Sequence, residues 1–234
     1  MDIKAILAEL IGTFTLVFIG AGAGALAATS GGGIVAVAFA HGLALMVIVY
    51  AWGSISGAHV NPAVTFGIAV TGRIEWPKAI AYWVAQFLGA AIAAYLLKWL
   101  LETVLPGSDL GSTIGSLTKD APAKVVVLEG VLTFFLVIAV FASGVHGRNG
   151  NMAGIAIGLV LTMDILFGGA LTGASMNPAR TFGPALATGD MSYLWMYIVG
   201  PLAGGAIAGL LYDKFFLPTD LRPPVEAAGG KRRR

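Results

Sequence analysis

The chain has 234 residues, 57% of them hydrophobic and only 11% charged, with a mean hydropathy of +0.86. A soluble domain carries about 25% charged residues, so a water-soluble globule is excluded. The absence of cysteine excludes disulfides and thiol chemistry; the formal net charge of +2 by itself says little, and no nucleic-acid partner is expected.

In chain order, apolar runs near 20 residues, long enough to cross a ~30 Å hydrocarbon core, are expected at about 6–28, 34–52, 77–101, 125–142, 152–167 and 192–216. The first is too long for the apolar core of a signal peptide, has one cation before it and is followed by five more spans. It is read as retained. It carries Glu9, an acid at membrane depth, where ionisable residues are functional by default. The second span carries His41. GAHVNPAVTFG (57–67) follows, with His59 in its approach, and leads into a short apolar stretch at 62–70. An outer loop at about 102–123 separates the third span from the fourth, which carries Glu129. The fifth carries Asp164 and Ile165 side by side. Then GASMNPARTFG (173–183) repeats the first turn at eight of eleven positions and leads into 178–187. Residues 217–234 read as a flexible tail, Pro/Gly-rich and then basic, with weak attraction to anionic lipid. The 33 glycines let helix backbones approach closely in lipid, where no hydrophobic drive joins them.

The turns are not the only repeated stretch. ELIGTFTLV from Glu9 matches EGVLTFFLV from Glu129 in Glu, Thr, Phe, Leu and Val, and GAAIAAYLL from Gly89 resembles GGAIAGLLY from Gly204. The chain is two related halves, about 1–101 and 124–216, with three spans each. Three is odd, so the second half enters the bilayer from the opposite side: an inverted repeat with its axis in the membrane plane. Nine residues of helix rise only ~13 Å, so each stretch after a turn is half a span. Entering from opposite faces, the two meet near the centre. Asn is a preferred N-cap and Pro is favoured at the first helical position. The half-helices are therefore expected to begin at Asn61-Pro62-Ala63 and Asn177-Pro178-Ala179, with free N–H groups and positive dipole ends at the midplane. Irregular backbone at that depth must be buried in protein or line water. Two positive ends facing a narrow aqueous path repel cations, hydronium included, while the Asn amides can donate to one passing polar molecule. The expected fold class is all-α: a membrane protein of six transmembrane helices and two re-entrant half-helices, forming a single channel domain over 1–216.

The paired Asn-Pro-Ala turns, Arg180 directly after the second, and the Glu9/Glu129 repeat resemble the aquaporins, or major intrinsic proteins, over about 5–212. The resemblance implies a right-handed six-helix bundle, homotetramers with one pore per subunit, and four residues that narrow each pore: here His41, Ile165, Ala174 and Arg180. Water-selective members usually place a bulky aromatic and a His at the first two positions. This sequence departs from both and looks like the plant vacuolar members, the tonoplast intrinsic proteins, as do ILFGGALTGASMNPARTFGPAL and WMYIVGPLAGG. Those relatives pass water, and several also pass ammonia, urea or hydrogen peroxide. The glycerol branch carries Asp after the filter Arg and a basic residue four further on. Thr181 and Ala185 stand there, which weakens that reading without closing it.

A buried Arg is costly and usually functional, so Arg180 is expected to donate to the solute and oppose cations. Glu9 and Glu129 are expected to accept from the backbone of the two turns, holding carbonyls toward the pore; proton relay is the alternative. His59 is expected to anchor its loop. Asp164 lies ~100° around its helix from Ile165 and is not placed in the pore; whether it orders Arg180 or an outer loop stays open. The expected function is a passive channel for water and small neutral solutes, excluding protons and ions. The alternatives are a glycerol-type facilitator and a coupled secondary transporter, although the turns offer Asn, Pro and Ala where a coupled carrier needs midplane acids. The sequence has no nucleophile–base pair, metal cluster or nucleotide loop, so neither an enzyme nor a cofactor is expected. If six spans alternate, ten of the fourteen Lys and Arg fall on one side: Lys4, Arg73, Lys78, Arg148, Lys214, Arg222 and 231–234. Lys98, Lys119 and Lys124 fall on the other. Both termini are therefore expected on the cytoplasmic side of the cell membrane.

Overall fold

The computed structural model describes residues 2–147 and 149–221. Arg148 and the basic tail from 222 onward, on which part of the orientation reading and the flexible-tail reading rest, lie outside the described residues. The helices are α1 (Ile3–Ser30), α2 (Gly33–Ser56), α3 (Pro62–Ala69), α4 (Trp76–Leu101), α5 (Pro122–Val140), α6 (Ala153–Thr172), α7 (Pro178–Thr188) and α8 (Met196–Leu211). α5 and α8 each run on into a π-helical turn, Phe141–Val145 and Tyr212–Phe216. No strand occurs among the described residues. Six helices are long and apolar enough to cross a membrane, and α3 and α7, of 8 and 11 residues, are not.

Helix ends fall where capping chemistry puts them rather than where apolar residues stop. The fifth span, expected to end near 167, continues through Gly168 and Gly169 to Thr172 and closes at Gly173, whose φ of 87° is left-handed. Its glycines do not break it, because the helix is held on both sides by protein.

α1 packs against α2 and α4, α5 packs likewise against α6 and α8, and α2 meets α6 between the two triads. The half-helices cross over: α3 seats mainly on α8 and α7 on α4, so each rests on the last long helix of the other half. These contacts are made backbone to backbone. A Cβ on Gly67 of α3 would stand 2.7 Å from the Gly205 carbonyl oxygen, and one on Gly183 of α7 would stand 2.5 Å from that of Ala90. In lipid such approach supplies the dispersion that water would otherwise drive. The far end of α3 is tied to the end of α8, where Arg73 Nε donates to Asp213 Oδ1 at 2.8 Å.

The outward surface is apolar. Val84 and Trp99 on α4 and Phe167 on α6 are 64%, 70% and 65% exposed. A belt of this size facing water would aggregate. The chain is a multi-pass membrane protein.

Candidate functional site

The site begins with two helix caps. Asn61 is extended, with φ −156°, and its Oδ1 accepts from Ala63 N at 2.8 Å. Asn177 is extended likewise, and its Oδ1 accepts from Ala179 N at 3.0 Å and Arg180 N at 3.2 Å. Oδ1 is thereby committed to the backbone, and Nδ2 is left to reach across. Asn61 Nδ2 donates to the Met176 carbonyl and Asn177 Nδ2 to the Val60 carbonyl, both at 2.9 Å. Two turns 116 residues apart are thus bonded to each other crosswise. A primary amide has two N–H donors, and each Asn retains one.

The backbone leading into each cap is contorted in the same way. Ala58 and Val60 have φ of 48° and 43°, and their counterparts Ala174 and Met176 have 44° and 52°. Such a conformation costs on the order of 1–3 kcal/mol per residue and persists only if something holds it. The two buried carboxylates do. Glu9 Oε1 accepts from His59 N at 2.9 Å and Ser56 Oγ at 2.6 Å; its Oε2 accepts from Val60 N at 2.6 Å and Gln86 Nε2 at 2.8 Å. Glu129 Oε1 accepts from Ser175 N at 3.0 Å and Thr172 Oγ1 at 2.7 Å, and its Oε2 from Met176 N at 2.7 Å. A trans peptide points its carbonyl opposite to its N–H. The carbonyls of Ala58 and His59, and of Ala174 and Ser175, therefore point away from the carboxylates.

Several participants carry no signal by themselves. Tyr82 OH donates to the Ser56 carbonyl at 2.8 Å, and Tyr197 OH donates to the Thr172 carbonyl at 2.5 Å. His59 Nδ1 pairs with Thr65 Oγ1 at 3.1 Å, as Ser175 Oγ pairs with Thr181 Oγ1 at 2.6 Å. The sequence reading passed over Ser56, Thr65, Tyr82, Gln86, Thr172 and Tyr197. The signal that finds all but Gln86 is the repeat itself: Ser56/Thr172 and Thr65/Thr181 stand at the 116-residue offset of the turns, and Tyr82/Tyr197 at the 115-residue offset of the last spans.

A cavity of about 750 Å³ opens at one face near Arg73 and Asn151 and leads past Asn61 and Asn177 to His41 and Arg180. At that end His41 Nδ1 donates to the Val37 carbonyl at 2.8 Å, and His41 Nε2 accepts from Arg180 Nε at 3.2 Å. The two contacts together require a neutral imidazole with its proton on Nδ1. Arg180 Nη1 donates to the Gly111 carbonyl at 2.7 Å, which leaves further guanidinium N–H groups uncommitted among its five. Ile165 and Ala174 are 1% and 2% exposed, and neither belongs to the cavity lining. Asp164 is 1% exposed, its Oδ2 makes no hydrogen bond, and no ion pair joins it to Arg180 among the described residues.

The model of the major intrinsic protein family matches residues 1–212. The chain belongs to this family. It is 42% identical over 238 residues to Aquaporin TIP2-1 of Arabidopsis thaliana, covering 97% of this chain and 93% of that protein. It is 47% identical over 227 residues to Aquaporin TIP1-2 of Zea mays, covering 92% and 86%. Its fold is similar to the X-ray structure of the aquaglyceroporin from Plasmodium falciparum, with a TM-score of 0.77, 26% identity and coverage of 91% and 96%.

Proposed function

We propose that the chain forms a passive transmembrane pore for water and for small neutral solutes, ammonia first and urea or hydrogen peroxide next, and that it excludes protons and ions. The observation that carries this is the crosswise Asn61/Asn177 pair beside the cavity. Each amide keeps one donor for a solute, so a passing water is gripped by its oxygen and its own hydrogens point away from the pair. A hydrogen-bonded file is interrupted there. Two positive helix ends in low dielectric, with Arg180 beyond them, oppose any cation. His41, Ile165, Ala174 and Arg180 act as the filter on this reading, and Glu9, Glu129 and His59 as its scaffold. The protein is a channel and not an enzyme.

The placement of Lys and Arg supports both termini on the cytoplasmic side of the cell membrane. A homotetramer with one pore per chain, and a single channel domain over 1–216, complete the proposal. Purified protein in proteoliposomes, offered water, ammonia, urea and glycerol in the same preparation, tests it. Water flux well above the lipid background with no accompanying proton current is expected. A proton conductance matching the water flux overturns the mechanism. Glycerol flux exceeding water flux returns the glycerol-type reading.

A further inference from the structure

We infer that Gly20 is a specificity-determining residue: its missing side chain is the niche that keeps the His41 imidazole against α1 and out of the pore. The inference rests on the reading of His41 as a pore-narrowing residue. A Cβ added at Gly20 would collide with Cδ2, Nε2 and Cγ of the His41 ring. Three ring atoms are struck together, so no small adjustment at the ring edge relieves the clash.

The surrounding structure decides which way the ring must go. α2 cannot back away, because it is already pressed against α6 on its other side. A Cβ on Gly42, next in chain to His41, would stand 2.6 Å from the Gly158 carbonyl oxygen, and one on Gly158 would stand 2.5 Å from that of Gly42. With the helix fixed between α1 and α6, the imidazole can only rotate about its own side-chain bonds, toward the cavity that it lines. That rotation breaks the bond from Arg180 Nε to His41 Nε2.

The other acceptor of Arg180 leans on the same turn of α1. Gly111, with φ of 68°, presents its carbonyl to the guanidinium, and its Cα side is closed by the Ala21 carbonyl. Residues 20 and 21 thus back both acceptors that hold Arg180.

The other half of the repeat lacks this arrangement. The mates of Gly20 and His41 are Val140 and Ile157, and both line the cavity. Where α1 gives way to a ring, α5 fills its own surface with a branched side chain, and no polar ring stands opposite.

The test compares parent, Gly20→Ala, His41→Ala and the double variant in proteoliposomes, reading water, ammonia and urea flux per channel. Gly20→Ala is expected to lower water flux several-fold and to lower the larger solutes more. The double variant is expected to match His41→Ala, because no ring is left to displace. Gly22→Ala is the control: its Cβ would lie 3.1 Å from Leu97 Cδ2, the free end of a flexible side chain, and the solute ratios should stay at the parent level. If Gly20→Ala fails to fold, the double variant against His41→Ala still decides. Flux lowered in the double variant relative to His41→Ala means that Gly20 acts by packing alone and overturns the inference. Parent-level flux of every solute in His41→Ala overturns the filter reading and the inference with it.

Discussion

The two ends of the pore occupy matched positions of one repeat and differ in kind. At one end His41 and Arg180 are bonded to each other. Their mates at the other end are Ile157 and Val64, both apolar, lining a cavity of about 750 Å³. Inversion duplicates geometry, but it does not oblige the side chains to follow. The shared centre stays symmetric because each turn must satisfy the same strained backbone. The ends are free to diverge, and one is polar while the other is apolar. The supports diverge too. Glu9 accepts from four donors, one of them Gln86 of α4, whereas Glu129 accepts from three. The α8 residue matching Gln86 is Pro201, which has no donor to offer.

The harshest way to break the comparison is to remove a carboxylate. Glu9→Leu leaves four buried donors unpaired, at about 1–3 kcal/mol each, against a total stability of roughly 5–15 kcal/mol. No folded protein is expected. Glu129→Leu strands three donors and should leave more folded material, measured by yield and thermal unfolding in detergent. Equal loss in both would mean that the Gln86 contact contributes nothing.

Copying one end onto the other is next. Arg180→Val places at the polar end the residue found at its mate, Val64. Proton leak measured with an internal pH dye should rise, and urea flux should rise relative to water. A parent-level leak would assign the whole cation barrier to the Asn turns.

A smaller effect is expected at Asp164, whose mate is Ile48. Its Oδ2 is buried without a partner, and Asp164 is not among the residues that line the cavity. Asp164→Ile should raise thermal stability by about 1–3 kcal/mol, the desolvation cost of an unpaired polar group, with water flux unchanged. A drop in melting temperature would show that the carboxyl has a partner in the membrane-embedded protein.

The smallest effect belongs to the turn after α7. The Ser192 backbone N–H, 3.0 Å from Asp190 Oδ1, together with the Ser192 hydroxyl, holds the Asp190 carboxyl below its ordinary range. A carboxylate depressed by folding adds stability above its unfolded value and loses it as pH falls through the folded one. Acidification through and below the usual carboxylate range should therefore lower the protection of the Ser192 amide, measured against its intrinsic exchange rate at each pH, while the ends of the long helices keep theirs. The group is fully exposed, so global melting should not register it.

Much of this molecule follows from local chemistry. Asn before Pro is a helix start wherever it occurs, so both half-helices were legible residue by residue. The six spans needed only a count of apolar residues, and the meeting of the turns needed only the parity of three spans per half. The carboxylates were legible because Glu9 and Glu129 recur 120 residues apart within a repeated stretch, each in the first span of its half. Gln86 was not, since Pro201 stands at the matching position. The limits of the fifth span were not legible either, because Gly168 and Gly169 read as an ending until neighbours are seen on both sides.

What only the tertiary structure decided is which atoms meet. That Ser56, Tyr82 and Gln86 converge with Glu9 around one turn depends on α1, α2 and α4 packing at a given depth and rotation, and rotation is not encoded in any short stretch. The same holds for the His41 ring. Its place is set by the absence of an atom at Gly20, on a different helix, and by the pressure of α6 from behind. Sequence periodicity determines which residues share a face. The distance between two faces is set by the smallest side chains caught between them, and that is known only once the helices are packed.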